Sequence, residues 1–457
     1  MADLLSIILA AGKGTRMKSD KIKVLHPVAG RAIIKHVISS LDGLDTKVVN
    51  VIGHQKKEVQ AELEDLDSWD LNYVIQSEQL GTGHAVKQAE EYINEHSGPV
   101  LILYGDIPLL RKETISEFVE KHNKNNSDLT VMTAIFDDPS GYGRIVKDKA
   151  GNITAIVEEK DADSEIKSIN EINSGVNCID SELLIEFLEN MDNDNAQGEY
   201  YLTDIIEYAV NKDKNINTYT VSDSEEIIGI NTRKQQAEAE KIMRKRITDK
   251  HLENGVTIID PDSTFIDVEV KIENDVTIYP FNYIEGSTYI KKGTVINPNC
   301  RIKNSKIGKN VEILENTVIK DSEVGSSTNV GPFAYLRPGS SVEDNCKIGD
   351  FVELKKTTVK SGAKVPHLCY AGDAEIGERT NIGAGTIFAN YDGENKYRTK
   401  IGKDAFIGSD SILIAPLKIG DKAKTAAGSV VTSDVNSGDT VMGVPARIYN
   451  PEENSQE

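Results

Sequence analysis

The amino-acid pattern calls for an α/β unit, then one long helix, then a parallel β-helix. Residues 1–230 alternate between short apolar runs and stretches with helical spacing. Residues 231–252 hold neither glycine nor proline. From residue 272 onward an aliphatic side chain returns at every sixth position over long stretches. A chain of 457 residues is too long for one ordinary domain, so more than one is expected.

In the first part, "LLSIILAA" (4–11) is a continuous apolar run, as in a strand buried on both faces. "RAIIKHVISSL" (31–41) has helical spacing, "KVVNVIG" (47–53) reads as a strand and "QKKEVQAELEDL" (55–66) as a helix. "NYVIQ" (72–76), "GHAVKQAEEYI" (83–93) and "PVLILYGD" (99–106) continue as strand, helix and strand. Such alternation implies a largely parallel sheet with ligands at the C-terminal strand ends. "LAAGKGTRM" (9–17) and "YGD" (104–106) lie at such ends. The stretch 231–252, "NTRKQQAEAEKIMRKRITDKHL", is rich in helix formers, and "ENG" stops it at Gly255.

The repeat then runs through Ile272, Ile278, Ile284, Ile290, Ile296 and Ile302, through Ile307 to Ile319, and through Val324 to Leu354. It resumes at Ile401, Ile407, Leu413 and Ile419. A six-residue aliphatic period marks a parallel β-helix, each short strand sending one side chain inward. The rhythm slips twice: Val365 to Ile376 is eleven residues and Phe388 to Ile401 thirteen. "PHLCYAGDA" and "ANYDGENKYRTK" occupy these breaks and read as loops on a rigid scaffold.

Composition bounds the function. Apolar residues make up 39% and charged residues 27%, as in a soluble globular protein. A net charge of −21 disfavours non-specific binding to nucleic acid or anionic membranes, so any phosphate site must be built locally. Cys178, Cys300, Cys346 and Cys369 are scattered without a CxxC pair, which reads as reduced thiols in a cytoplasmic protein. No apolar run approaches the roughly 18 residues of a membrane span. The N-terminal run is short and lacks a basic flank, so it reads as a buried strand.

The glycines of "LAAGKGTRM" fit neither common phosphate loop. A Walker A loop has four residues between its glycines; Gly12 and Gly14 have one. A dinucleotide fingerprint has a third glycine where this chain has Met17. The wider set decides: "LAAGKGTRM" with Lys23, "QLGTGHA" (79–85), "YGD", "GYGRI" (141–145), "VEEKDA" (157–162), "INSG" (172–175), "NAQGEYYLTD" (195–204) and "GIN" (229–231). This set resembles the sugar-1-phosphate nucleotidyltransferases. With the six-residue repeat behind it, the chain resembles the bacterial bifunctional N-acetylglucosamine-1-phosphate uridylyltransferase / glucosamine-1-phosphate N-acetyltransferase family from residue 4 to about 430.

The resemblance implies a Rossmann-like nucleotidyltransferase domain (1–230), a linker helix (231–252), a left-handed β-helix acetyltransferase domain (253–446) and a polar tail (447–457). It implies UTP, N-acetylglucosamine 1-phosphate, glucosamine 1-phosphate and acetyl-CoA as substrates, Mg²⁺ as cofactor, and a homotrimer without nucleic-acid or membrane partners. Leu9, Ala10, Ala11 and Gly12 match the phosphate loop, with Arg16 and Lys23 as catalytic cations. Gln76, Gly81 and Thr82 match uracil-reading positions; Tyr104, Gly105 and Asp106 the second strand end; Gly143, Glu158 and Asn173 the sugar contacts. Asp106 and Asn231 match the metal ligands. Taken alone, Lys23 reads equally as a solvated lysine and Asn231 as a helix N-cap.

In the second part His367 matches the acetyltransferase general base, and imidazole is suited to taking a proton from an amine near neutral pH. Asn390 would orient the base or bond the amine. Arg337 and Lys355 match sugar-phosphate contacts, Tyr370, Asn381 and Tyr391 further sugar contacts, and Ala384, Ser409 and Ala427 acetyl-CoA contacts. A rival reading keeps only nucleotidyl transfer and makes the β-helix an oligomerisation or regulatory module; such a module has no need of His367, Lys355, Asn390 and Tyr391. Three departures from the family stand out. Ile22 precedes Lys23 where many relatives have proline, Pro366 precedes His367 where relatives have glycine or serine, and the late CoA-binding arginine aligns near Val444, with Arg447 as the nearest substitute.

Overall fold

The computed structural model describes residues 4–195 and 198–449. They fall into two compact units that meet between Met243 and Arg244. The division lies inside the helix Arg233–Glu253.

In the first unit one sheet runs, edge to edge, Ile216–Thr220, Leu129–Ile135, Glu171–Asp180, Pro99–Tyr104, Leu4–Ala10, Thr46–Ile52, Leu71–Ile75. The first strand is apolar throughout because both its faces are covered. Leu5 and Ile7 enter one core with Val49, Val51 and Ile102, while Leu4 and Ile8 enter the other with Val48, Ile52 and Leu101. The sheet is less parallel than the pattern implied. Glu171–Asp180 runs antiparallel to both neighbours, because the chain reaches it through the hairpin Arg144–Lys147/Ile153–Val157 instead of a helical crossover. The single helix expected at 83–93 is two, Thr82–Lys87 and Glu90–Asn94, since Gln88 and Ala89 close three-residue turns onto Ala85 and Val86 between them. Leu4–Ala10 has Thr46–Ile52 on one side and Pro99–Tyr104 on the other, so strand order reverses there and a crevice opens at the strand ends.

The second unit is a left-handed parallel β-helix of three sheets with twelve, ten and nine strands. Each strand pairs in parallel with the strand one coil on, as in Ile278↔Ile296 and Ile296↔Ile313. The repeating aliphatics form the interior: Ile296, Ile313, Val330 and Ile348 are fully buried. Asn299, Asn316 and Asn345 take the left-handed backbone at the corners, which asparagine tolerates better than most residues.

The first rhythm slip is not an insertion. Ala371 is an interior residue, so Val365 to Ile376 is a six-residue step followed by a five-residue one. Steps of five also carry the chain from the second sheet to the third at Ile302–Ile307, Ile319–Val324 and Leu354–Val359. Only the second slip holds a loop, residues 390–398, between the strands Ile387–Ala389 and Thr399–Ile401. At the far end Ala446–Ile448 pairs antiparallel with Thr440–Gly443, so the tail expected from residue 447 begins as a strand. Residues 450–457 of that tail lie outside the described residues. All four cysteines are free and buried.

Ile313→Ala removes most of a side chain that neighbouring coils cannot move to replace. It is expected to destabilise the second unit by about 2–5 kcal/mol, read by chemical denaturation.

Candidate active sites

The loop after Leu4–Ala10 is set by Gly14, whose φ is +64°. A Cβ there would lie 2.7 Å from the Cβ of Lys23, so only glycine lets the loop close on this lysine. The Lys23 ammonium pairs with Asp106 Oδ2 at 2.5 Å and donates to Asn231 Oδ1 at 2.9 Å. Arg16 donates to the same Asn231 oxygen at 3.0 Å. Lys23 is therefore a paired, mostly buried cation and not a solvated one. Nor is Asn231 the helix cap. Thr232 Oγ1 accepts from the Gln235 N–H at 3.2 Å and so caps the helix, and the Gln235 side chain accepts from the N–H of the preceding Asn231 at 2.9 Å. The Asn231 side chain is left to meet the two cations.

A cavity of about 390 Å³ opens beside this group. Leu9, Ala10, Ala11, Gly12, Gln76, Gly81, Thr82 and Tyr104 line it together with Lys23, Asp106 and Asn231. Gln79 and Glu199 line it too; they lie in the motifs "QLGTGHA" and "NAQGEYYLTD" but were not named individually. Gln76 Nε2 donates to the Gly81 carbonyl at 3.1 Å, tying two walls together, and the Gly105 N–H donates to Leu9 at 2.9 Å. Gly143, Glu158 and Asn173 form a second group. The Asn173 N–H donates to Gly143 O at 2.9 Å, and a Cβ on Gly143 would sit 3.3 Å from the Glu158 carboxylate. Burial, then Asp161 and Asp204, hold the Glu158 carboxyl above the usual carboxylate range. The fully buried Arg144 pairs with Glu159 at 2.7 Å and donates to Tyr142 O, so one guanidinium joins "GYGRI" to "VEEKDA".

Ile22 has φ −58° and ψ 143°, the conformation proline would fix. Its N–H, which proline would lack, donates to Gln55 Oε1 at 2.8 Å, and Gln55 Nε2 donates to Asp20 O at 2.7 Å. Gln55 thus holds the approach to Lys23 that a proline ring would otherwise stiffen.

In the second unit the expected residues fall into two groups. His367 ends the strand Lys364–His367 and is paired in register with Asp350 one coil earlier; its Nδ1 contacts Asp350 Oδ1. Lys347↔Lys364 and Asp350↔His367 remain in register on either side of Pro366, so the proline does not displace the histidine. Ala384, Ser409 and Ala427 follow His367 up the same corner of successive coils. Gly385 N donates to His367 O, Asp410 N to Ala384 O and Gly428 N to Ser409 O.

The other group lies on the second sheet. Arg337, Lys355 and Gly372 occupy adjacent rungs. Lys396, from the 390–398 loop, and then Arg337 press the Lys355 ammonium below its usual range. Arg337 also pairs with Glu353 at 2.8 Å. Gly372 admits close neighbours, since a Cβ there would stand 2.5 Å from the Tyr370 hydroxyl and 2.8 Å from Asn390 Nδ2. Asn390 does not orient the histidine: its amide donates to Asp373 at 2.6 Å. Asn381 sits on the first sheet beside Lys364, and Tyr391 is exposed on the loop. Val444 is exposed, and Arg447 donates to Ala446 O. Asp350 and Lys396 were not foreseen. Counting one coil back from His367 reaches Asp350, whereas Lys396 lies unnamed within the loop stretch "ANYDGENKYRTK".

The family described as Nucleotidyl transferase matches residues 5–246, and the Hexapeptide repeat of succinyl-transferase matches residues 398–433. The Bifunctional protein GlmU of Geobacillus sp. (strain WCH70) is 48% identical, covering 94% of this chain and 93% of its own. That of Clostridium botulinum (strain 657 / Type Ba4) is 49% identical, covering 97% and 96%. The chain belongs to the bifunctional GlmU family. As a GlmU family member it is an enzyme with two transferase activities. It acetylates glucosamine 1-phosphate with acetyl-CoA, and it transfers UMP from UTP to N-acetylglucosamine 1-phosphate, releasing pyrophosphate. The product, UDP-N-acetylglucosamine, serves cell-wall synthesis. Among the described residues no helix is long and apolar enough to cross a membrane.

Gln55→Ala removes two hydrogen bonds from the segment before Lys23. A loss of about 1–3 kcal/mol is expected, read as a lowered denaturation midpoint of the first unit.

Proposed function

We propose that the two units divide the two reactions, uridylyl transfer at the 390 Å³ cavity and acetyl transfer on the β-helix coils around His367. The convergence of Lys23, Arg16, Asp106 and Asn231 carries the first assignment. Phosphoryl-type transfer needs positioning and charge neutralisation more than covalent help. Backbone N–H groups from Leu9 to Gly14 and the glycine-opened loop suit a triphosphate, and the two cations suit the leaving pyrophosphate and the attacking phosphate. Gln76, Gly81 and Thr82 face the base, and Gly143, Glu158 and Asn173 the sugar.

Mg²⁺ fits this site. Asp106 and Asn231 direct two oxygens at one point, where the Lys23 ammonium now lies. Among the described residues no group of three acidic, histidine or cysteine side chains gathers, so the protein offers few ligands, as Mg²⁺ prefers when phosphates and water complete its shell. Asp106 and Asn231 would hold the ion, which would supply charge neutralisation for the substrate phosphates. In the second unit Arg337, Lys355 and Lys396 suit the sugar phosphate, Ala384, Ser409 and Ala427 leave a corner for acetyl-CoA, and His367 takes the amine proton. The enzyme works as a homotrimer in the cytoplasm. Buried free thiols support the compartment, and the exposed apolar side chains Phe333, Phe351 and Leu368 beside His367 support self-association.

His367→Ala should lower acetyl transfer at least about 100-fold while uridylyl transfer continues. Asp106→Asn should do the reverse, by about 100-fold. Release of CoA and of pyrophosphate from the same preparations reads both. Acetyl transfer surviving in His367→Ala, or both activities lost together in a folded variant, would overturn the division.

A further inference from the structure

We infer that Asp350 is a positioning residue for His367, holding the Nδ1 proton so that Nε2 is the atom presented to the amine of glucosamine 1-phosphate. This rests on the reading of His367 as the base. Three observations carry it. The two residues are paired in register on adjacent strands of the first sheet, so the backbone fixes their separation. The Asp350 backbone is held as well, its carbonyl accepting from Leu368 N at 3.0 Å. Lastly, Nδ1 contacts Asp350 Oδ1, and the other candidate orienter, Asn390, is turned to Asp373.

An ionised carboxylate only accepts hydrogen bonds. Nδ1 must then be the donor, and in the neutral ring the lone pair falls on Nε2. The bond from His367, with Lys347 adding to it, keeps the Asp350 carboxyl below the usual carboxylate range, so it is ionised where the enzyme works. As the amine nitrogen bonds to the thioester carbonyl carbon and the C–S bond breaks, the amine proton passes to Nε2 and then to the departing thiolate. The carboxylate stabilises the imidazolium present between those transfers. The charged groups on the paired strands are Lys347, Asp350 and Lys364; the next strand of this sheet, Asn381–Ile382, carries none, and Asp410 stands one corner further on.

The test is the pH profile of kcat/KM for acetyl transfer, followed by CoA thiol release in the full-length enzyme. Asp350→Asn keeps the shape and removes the charge. Its acidic limb should move to lower pH by about one unit, because a neutral neighbour favours the imidazolium less. Its plateau kcat should fall about 10-fold, a part of the loss in His367→Ala. Asp350→Glu restores the charge and should bring the limb back toward wild type. The chemical-denaturation midpoint of the second unit, measured for each preparation, shows that the β-helix has folded. An acidic limb unmoved in Asp350→Asn, with His367→Ala inactive, overturns the role of Asp350 alone. Acetyl transfer persisting in His367→Ala overturns the reading beneath it.

Discussion

In-register parallel strand pairing is the constraint on which both units depend. In the first it brings the C-terminal ends of Leu4–Ala10 and Pro99–Tyr104 side by side, so a loop residue such as Gly12 and a strand-end residue such as Asp106 border one cavity. In the second it stacks equivalent positions of successive coils about 4.8 Å apart. Asp350, His367, Ala384, Ser409 and Ala427 thereby become a single column from a chain segment that spreads them over 77 residues. A shift of register by one residue would turn each of these side chains to another face. The interior aliphatics that prevent such a slip are thus as necessary to the site as the residues in it.

Charge is the second determinant. A chain at −21 repels phosphates at long range, and each site answers with cations held by local partners. Lys23 and Asp106 are 14% and 15% exposed, so neither side chain has much water to rely on, and each needs the other in the absence of substrate. Lys355 is different. It is open to solvent and crowded by Lys396 and Arg337, which favours an incoming anion over the free state.

Period and motif order were legible without coordinates, because each repeats or recurs along the chain. The interior positions from Ile278 to Leu354 and the walls of the cavity could be read directly. What escaped leaves no motif and no period in the sequence. Asn231 and Thr232 are adjacent, and only the bond from the Gln235 N–H to Thr232 shows which of them caps the helix. The interval Val365–Ile376 resembled a break because Ala371, a small residue, fills an interior position without an aliphatic signal. Gln55 lies 33 residues from Ile22, and nothing near it marks the bond that stands in for a proline.

The corner that carries His367 also concentrates backbone strain. At the equivalent corner other coils place Asn299, Asn316, Gly385 or Asp410 in the left-handed region, residues that accept it readily. Three successive coils instead place Phe333, Phe351 and Leu368 there, with φ of +54°, +54° and +51°, and all three are exposed. Each costs about 1–2 kcal/mol relative to a relaxed conformation. The stacked rings of Phe333 and Phe351, 5.2 Å apart, recover only about 0.5–1.5 kcal/mol. Asparagine would fold at least as well at all three positions, so folding of a single chain does not account for them. Their exposure fits the self-association proposed for this chain, in which burying the three side chains against another copy would offset the strain.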